Sequence, residues 1–183
     1  NSQGAPTYLE KTNDVVDFAF LNDINIALPE QRPVPTYHPE YLNSNTQTNL
    51  VIQQPANVWV TFVHEGAGYL NTLCYYKSNP LNPPATASDI DTLYTIFPNV
   101  SYVNSGGGLV SGNKVKIGTF PKGAGIGWAI IANGYSNGNV NGGYGVYFSQ
   151  TNLNPETNAT LKQHCILLND VNRGKLLLSF EDI

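Results

Sequence analysis

From residue 50 onward the chain changes rhythm, and that change constrains the fold more than any single residue. Short runs rich in β-branched and aromatic side chains follow one another: LVIQ, VWVTFVH, YLNTLCYY, KVKIGTF, IGWAIIANG, GVYFSQ, KQHCILLND and KLLLSFED. Gly, Asn and Pro separate them. Apolar residues at every second position suit strands, and turn residues at this spacing suit an antiparallel sandwich. Some runs are apolar at both parities. In IGWAII, Ile126, Trp128 and Ile130 fall on one face and Ala129 and Ile131 on the other. A sheet with one wet face alternates more cleanly, so this strand needs cover on both sides.

The residues before 50 are the natural cover. Thr12-Asn13-Asp14 followed by VVDFAFLNDINIALPE reads as an amphipathic helix, with Asn13 or Asp14 accepting its first N–H groups. Val15, Phe18, Leu21 and Leu28 form its apolar stripe, joined by Val16 and Ile24, and Pro29 stops it. The prolines of EQRPVPTYHPEYL demand an extended strap, with Val34, Tyr37, Tyr41 and Leu42 as apolar feet. Within the strand region, residues 88–97 read as one short inserted helix. Ser88 and Asp91 resemble a shortened capping box there, and Pro98 ends it. The loops SGGGLVSGN and NGYSNGNVNGGYG read as mobile or ion-binding.

The expectation is therefore one domain over residues 1–183, mostly β. A helix and Pro-rich strap occupy 12–49 and cover one face. A jelly-roll-like antiparallel sandwich occupies 50–183, with the helix near 88–97. A chain of 183 residues is long enough to bury a core of that kind.

Composition narrows the partners. Charged residues are 12% of the chain, about half the usual ~25%, so Asn, Ser, Thr, Gln and Tyr must make most of the surface. That mixture is common in extracellular β proteins. The net charge is −4 and the basic residues are scattered, which argues against nucleic acid or an anionic membrane surface as partner. No apolar run approaches the ~20 residues of a spanning helix, so this domain is not expected to insert in a membrane. Asn1 opens a polar segment, as in a mature or trimmed product.

Among candidate sites, His64-Glu65-Gly66-Ala67-Gly68 comes first. A zinc protease of the H-E-x-x-H kind needs a second His where Gly68 stands, on a helix that the surrounding pattern does not provide. Two readings of Glu65 stay open: a turn-former accepting N–H groups of Gly66 to Gly68, or an oxygen ligand for a metal. Asn71 is expected to tie the same hairpin together. No Gly-x-Ser-x-Gly is present, and the GIG of KGAGIGW precedes a strand where a phosphate loop needs a helix. Enzymatic chemistry is not expected, and the remote alternative is a hydrolase whose site assembles from residues distant in sequence. The tyrosines Tyr69, Tyr75, Tyr76, Tyr135, Tyr144 and Tyr147 offer either core packing or a sugar-stacking surface. Tyr135 and Tyr144, in the Asn-rich loop, are the ligand-contact candidates. Cys74 and Cys165 are either two buried thiols or one disulfide between strands.

Several separated motifs together resemble one family. NDINIALPE, HPEYL, VWVTFVHEGAGYLNTLCYY, KIGTFPKGAGIGWAIIANG, YFSQTNLNPE, QHCILLND and LLLSFEDI, in that order, are similar to the bacterial secreted domain of unknown function 4114, in the version found beside LruC-type domains. The resemblance runs from about Asp14 to Ile183. It implies a non-enzymatic module of an exported, cell-surface or secreted adhesin-like protein, serving adhesion or ligand binding. A surface protein is then the expected partner, and the alternative, drawn from the tyrosines, is a lectin-like module that binds carbohydrate. Members continue past Phe-Glu-Asp into an acidic segment that looks calcium-binding, and of those presumed ligands only Glu181 and Asp182 have a counterpart here. Calcium is thus a possible cofactor, with weak or incomplete binding within these residues. The strand ending in KLLLSFED is also expected to leave an edge that can pair with another chain.

Overall fold

The computed structural model describes residues 1–29, 32–42 and 48–180. Its strands are β1 (Leu50–Val51), β2 (Ala56–Thr61), β3 (Thr72–Ser78), β4 (Tyr94–Phe97), β5 (Lys114–Phe120), β6 (Gly125–Ala132), β7 (Tyr135–Ser136), β8 (Asn139–Val140), β9 (Gly145–Phe148), β10 (Cys165–Asp170) and β11 (Lys175–Phe180). One five-stranded antiparallel sheet runs β1-β6-β3-β4, with β9 also on β6. Since β3 occupies one edge of β6, β1 and β9 share the other, β1 beside Gly125 and Ile126 and β9 along 129–132.

The doubly apolar strands are buried on both sides, as their pattern requires. Leu73 and Tyr75 of β3 and Ile126 and Trp128 of β6 join Phe97 in one core. Phe62, Val115 and Phe120 meet them from the ribbon β2–β5, and Leu178 and Phe180 from the ribbon β10–β11. Cys74, Tyr76, Ala129 and Ile131 make a second core on the opposite face, with Phe148 and Leu153. Glycine is required at 127, because a Cβ there would lie 2.0 Å from Cζ of Tyr76, whose ring rests on that backbone. The result is a mostly β antiparallel sandwich, as expected.

The cover differs from the expectation. The second core is closed by Ile90 and Leu93 and by the turn Thr151–Leu153. Asn152 Nδ2 donates to the carbonyls of Pro84 and Ala85, pinning these covers together. Helix α1 (Phe18–Ala27) lies on the other side of the sandwich, against the β10–β11 turn. There Arg173 and Lys175 sit over the Phe20 ring at 5.1 and 5.7 Å, and Arg173 pairs with Asp23 at 2.6 Å. Its cap is Asp17, whose carboxylate accepts from Phe20 N. Asn13 and Asp14 do tertiary work instead, Asn13 accepting from Asn113, and Asp14 from Thr61 and Lys114. Starting later rotates the buried face: Phe20 is buried, whereas Val15 and Phe18 are more than four-fifths exposed.

The strap is not extended. It forms α2 (Val34–Tyr37) and a 3-10 turn, Pro39–Leu42, with Val34 fully buried. Proline at the start of a helical turn costs nothing, since the N–H it lacks would have no partner there. The helix expected over 88–97 is absent as well. A single 3-10 turn, Ala87–Asp89, is capped reciprocally by Thr86 and Asp89, and the chain then becomes β4. Tyr-Thr-Ile-Phe carries β-branched and aromatic residues that pair with β3, and this outweighs the weak capping signal.

Candidate functional site

The His64–Leu70 segment is a crossover between sheets and no hairpin, because β2 pairs with β5 while β3 pairs with β4 and β6. Tyr102 holds its entrance. The Tyr102 hydroxyl donates to Val63 O at 2.8 Å and lies 3.3 Å from His64 Nδ1, and the Tyr102 N–H donates to Glu65 Oε1 at 3.3 Å. The N–H that Glu65 accepts is therefore that of Tyr102 and none from the following glycines. Burial first, and then the Glu65 charge, raise the Tyr102 hydroxyl above its ordinary value, so it stays a neutral donor. The exit is fixed by Asn71, whose Oδ1 accepts from Asn133 N while Asn133 Oδ1 accepts from Leu70 N. Asn71 ties the crossover to the end of β6.

A metal at Glu65 lacks company. Glu65 is the carboxylate in a cavity of about 670 Å³ that it lines with Arg32, Val34, Asn71 and Phe180. Its Oε2 is buried without a hydrogen-bond partner. Calcium takes six to eight oxygens, and among the described residues no three His, Cys, Asp or Glu side chains gather to hold an ion. Glu181 and Asp182 lie outside the described residues.

A second cavity, about 510 Å³, opens beside it. Among the described residues β2 pairs only with β5, and β11 only with β10, so each keeps one edge without a strand partner. Both strands line the same groove, through 57–61 and 175–179. Leu73, Phe97 and Trp128 of the five-stranded sheet make its floor, and Phe20, Ile24 and Leu28 flank it from the helical side. Trp128 is 5% exposed, and its indole Nε1 is buried without an acceptor. At the rim, burial alone would raise the Asp14 carboxyl, but hydrogen bonds from Lys114 and Thr61 outweigh it and hold the group below its ordinary value. Of these residues the sequence had marked only those of the KLLLSFED strand, as an edge open to another chain; β2, Trp128 and the helical flank were not singled out. The available signal was the run Leu176-Leu177-Leu178, apolar at both parities at the end of the described chain.

The tyrosines divide. Tyr135 is buried, its hydroxyl donating to the carbonyls of Asn1 and Ser2, so it cannot stack on a ligand. Tyr75 and Tyr76 are core residues. Tyr144 is 70% exposed and meets the exposed Tyr69 edge-to-face, centroids 5.4 Å apart. The Asn-rich loop beside them is built, not slack. β7 and β8 form a hairpin turned by Asn137 and Gly138, both with positive φ, as a type I′ turn demands. Asn141 then bridges Ser136 Oγ and Gly143 N. The SGGGLVSGN loop is likewise packed, with Leu109 fully buried.

Cys74 and Cys165 are both buried free thiols, so the bridge is not formed. Cys74 faces the second core, while Cys165 stands opposite Phe180 in a separate ribbon. Burial pushes the Cys74 thiol up to about 11 and Cys165 further still, which removes both from thiolate chemistry at neutral pH. A cluster the sequence did not reveal lies nearby: buried His164, 3.2 Å from Glu156 Oε1 and packed on the Tyr147 ring at 4.5 Å.

Residues 120–183 match the family model described as Domain of unknown function (DUF4114), a span running from the end of β5 through β11. No curated protein and no solved structure matches the chain.

Proposed function

We propose, from the premise that residues 120–183 carry the domain of unknown function 4114, that the chain is a non-enzymatic binding module whose working surface is the groove between β2 and β11. One observation supports this reading above the rest: two strand edges that have no partner among the described residues line one apolar groove. An extended peptide laid there gains main-chain hydrogen bonds on both sides and an apolar floor, which is how strand addition binds. Its carbonyls would also offer an acceptor to Trp128 Nε1. The partner is an extended protein segment with alternating apolar side chains, the chemistry of adhesion between surface proteins.

That the parent is an exported bacterial protein beside LruC-type domains rests on the resemblance and on a surface poor in charge. Calcium-dependent stability rests on the resemblance alone. The test uses synthetic eight-residue peptides of alternating valine and threonine. A Trp59→Phe background leaves Trp128 as the reporter. Binding should shift Trp128 emission and slow amide exchange along both β2 and β11. Peptides that leave exchange at either edge unchanged would overturn the groove assignment.

A second reading is supported by the exposed Tyr69–Tyr144 pair on its hydrogen-bonded hairpin: a lectin-like surface stacking on sugar rings. A glycan array in which Tyr144→Ala abolishes a sugar-specific signal supports it, and an array without such a signal removes it.

A further inference from the structure

Two tripeptides in the chain have the form Asn-x-Ser/Thr that N-linked glycosylation requires: Asn99-Val100-Ser101 and Asn158-Ala159-Thr160. The fold treats them oppositely. Asn99 has no exposed surface, and its Nδ2 spends both protons, donating to Gln3 O at 3.0 Å and Gly106 O at 3.1 Å. The nitrogen that would carry a glycan is locked between the N-terminal segment and the glycine loop. Asn158 lies on the surface after Pro155, with Thr157 and Ala159 exposed on either side. Asn158 immediately precedes the 3-10 turn Ala159–Leu161, and its tripeptide lies outside every strand. Within that turn Leu161 N donates to Asn158 O at 3.1 Å and Lys162 N to Ala159 O at 3.4 Å. Opening it to an extended acceptor conformation breaks no sheet pairing.

We infer that Asn158 is a glycan acceptor site on the folded protein and that Asn99 is not. The donor is a lipid-diphosphate-linked oligosaccharide. Asn158 Nδ2 forms a bond to the anomeric carbon, and the bond from that carbon to the diphosphate oxygen breaks. The lipid diphosphate leaves with the electron pair, and one amide proton passes to a base of the transferase. Nothing is oxidised or reduced. Occurrence in the cell rests on the reading that the chain is exported, whereas acceptance by the folded protein does not, so the two fail separately.

The experiment incubates the folded full chain with a purified oligosaccharyltransferase and a synthetic lipid-diphosphate glycan, then maps peptides by mass spectrometry. The expected result is one glycan mass on the peptide containing Asn158, none on that containing Asn99, and complete loss in Asn158→Gln and in Thr160→Val. Near-ultraviolet circular dichroism of both variants establishes that they fold. An unmodified Asn158 in the folded chain overturns the assignment, whether or not a free peptide spanning 154–163 is accepted. Modification at Asn99 without unfolding overturns the claim that the fold selects the site.

Discussion

β6 and β11 are both apolar runs, yet their fates differ. Every residue of β6 except Ile130 is buried, whereas no residue of β11 is, and Leu176 stays 44% exposed. β6 has strand neighbours on both edges and a core on each face. Among the described residues β11 has one strand neighbour, and its residues 175–179 line the groove. Burial of a strand is thus set by how many sides are covered and only then by its own hydrophobicity. On the proposed reading, the less covered layer is also the one a partner strand would pair with, since unpaired edges invite pairing.

The sharpest way to break this comparison is truncation in each layer. Phe97→Ala, in the complete sheet, should cost about 3–5 kcal/mol, as buried aromatics do. Leu177→Ala in β11 should cost about 1 kcal/mol, near the centre of ordinary point mutants. Urea unfolding measures both, and equal costs would mean the two layers are equally packed. The helix gives the next largest contrast. Phe20→Ala should lose about 1.5–3 kcal/mol of apolar burial, while Phe18→Ala should stay within about 0.5 kcal/mol of the parent. The reverse ranking would move the buried face back to the stripe that the sequence suggested.

A smaller effect belongs to Asp14 at the groove rim. Its folded carboxyl is held below its ordinary value, so its contribution is full above the unfolded value near 3.9 and is lost as pH falls through the folded one. For a partly exposed pair the contribution is about 1 kcal/mol or less. Stability of the parent relative to Asp14→Asn should therefore shrink between pH 5 and about 2. A gap that widens on acidification would reverse the sign. Smallest of all, Tyr144→Ala should leave thermal stability unchanged, within about 0.5 kcal/mol. A clear loss would show that the Tyr69–Tyr144 contact is structural.

Much of the sandwich was legible because strand period is a local property. KVKIGTF coincides with β5, IGWAIIANG takes in all of β6 but Gly125, and KLLLSFED contains β11. The two-faced burial of β6 also followed from its own residues. Other features depended on distant partners. Residues 88–97 carried a helix-like start at Ser88, but 94–97 became a strand that pairs with an edge of β3. Tyr135 and Tyr144 share one Asn-rich loop, yet one is fixed by Asn1 and Ser2 and the other meets solvent. Asn99 and Asn158 share one motif, and only the fold separates them. The groove itself could not be read from the chain, because a strand's sequence states that it will pair and leaves open with how many neighbours. That number is decided when ribbons from distant parts of the chain pack on one sheet, and here they leave β2 and β11 facing an open slot.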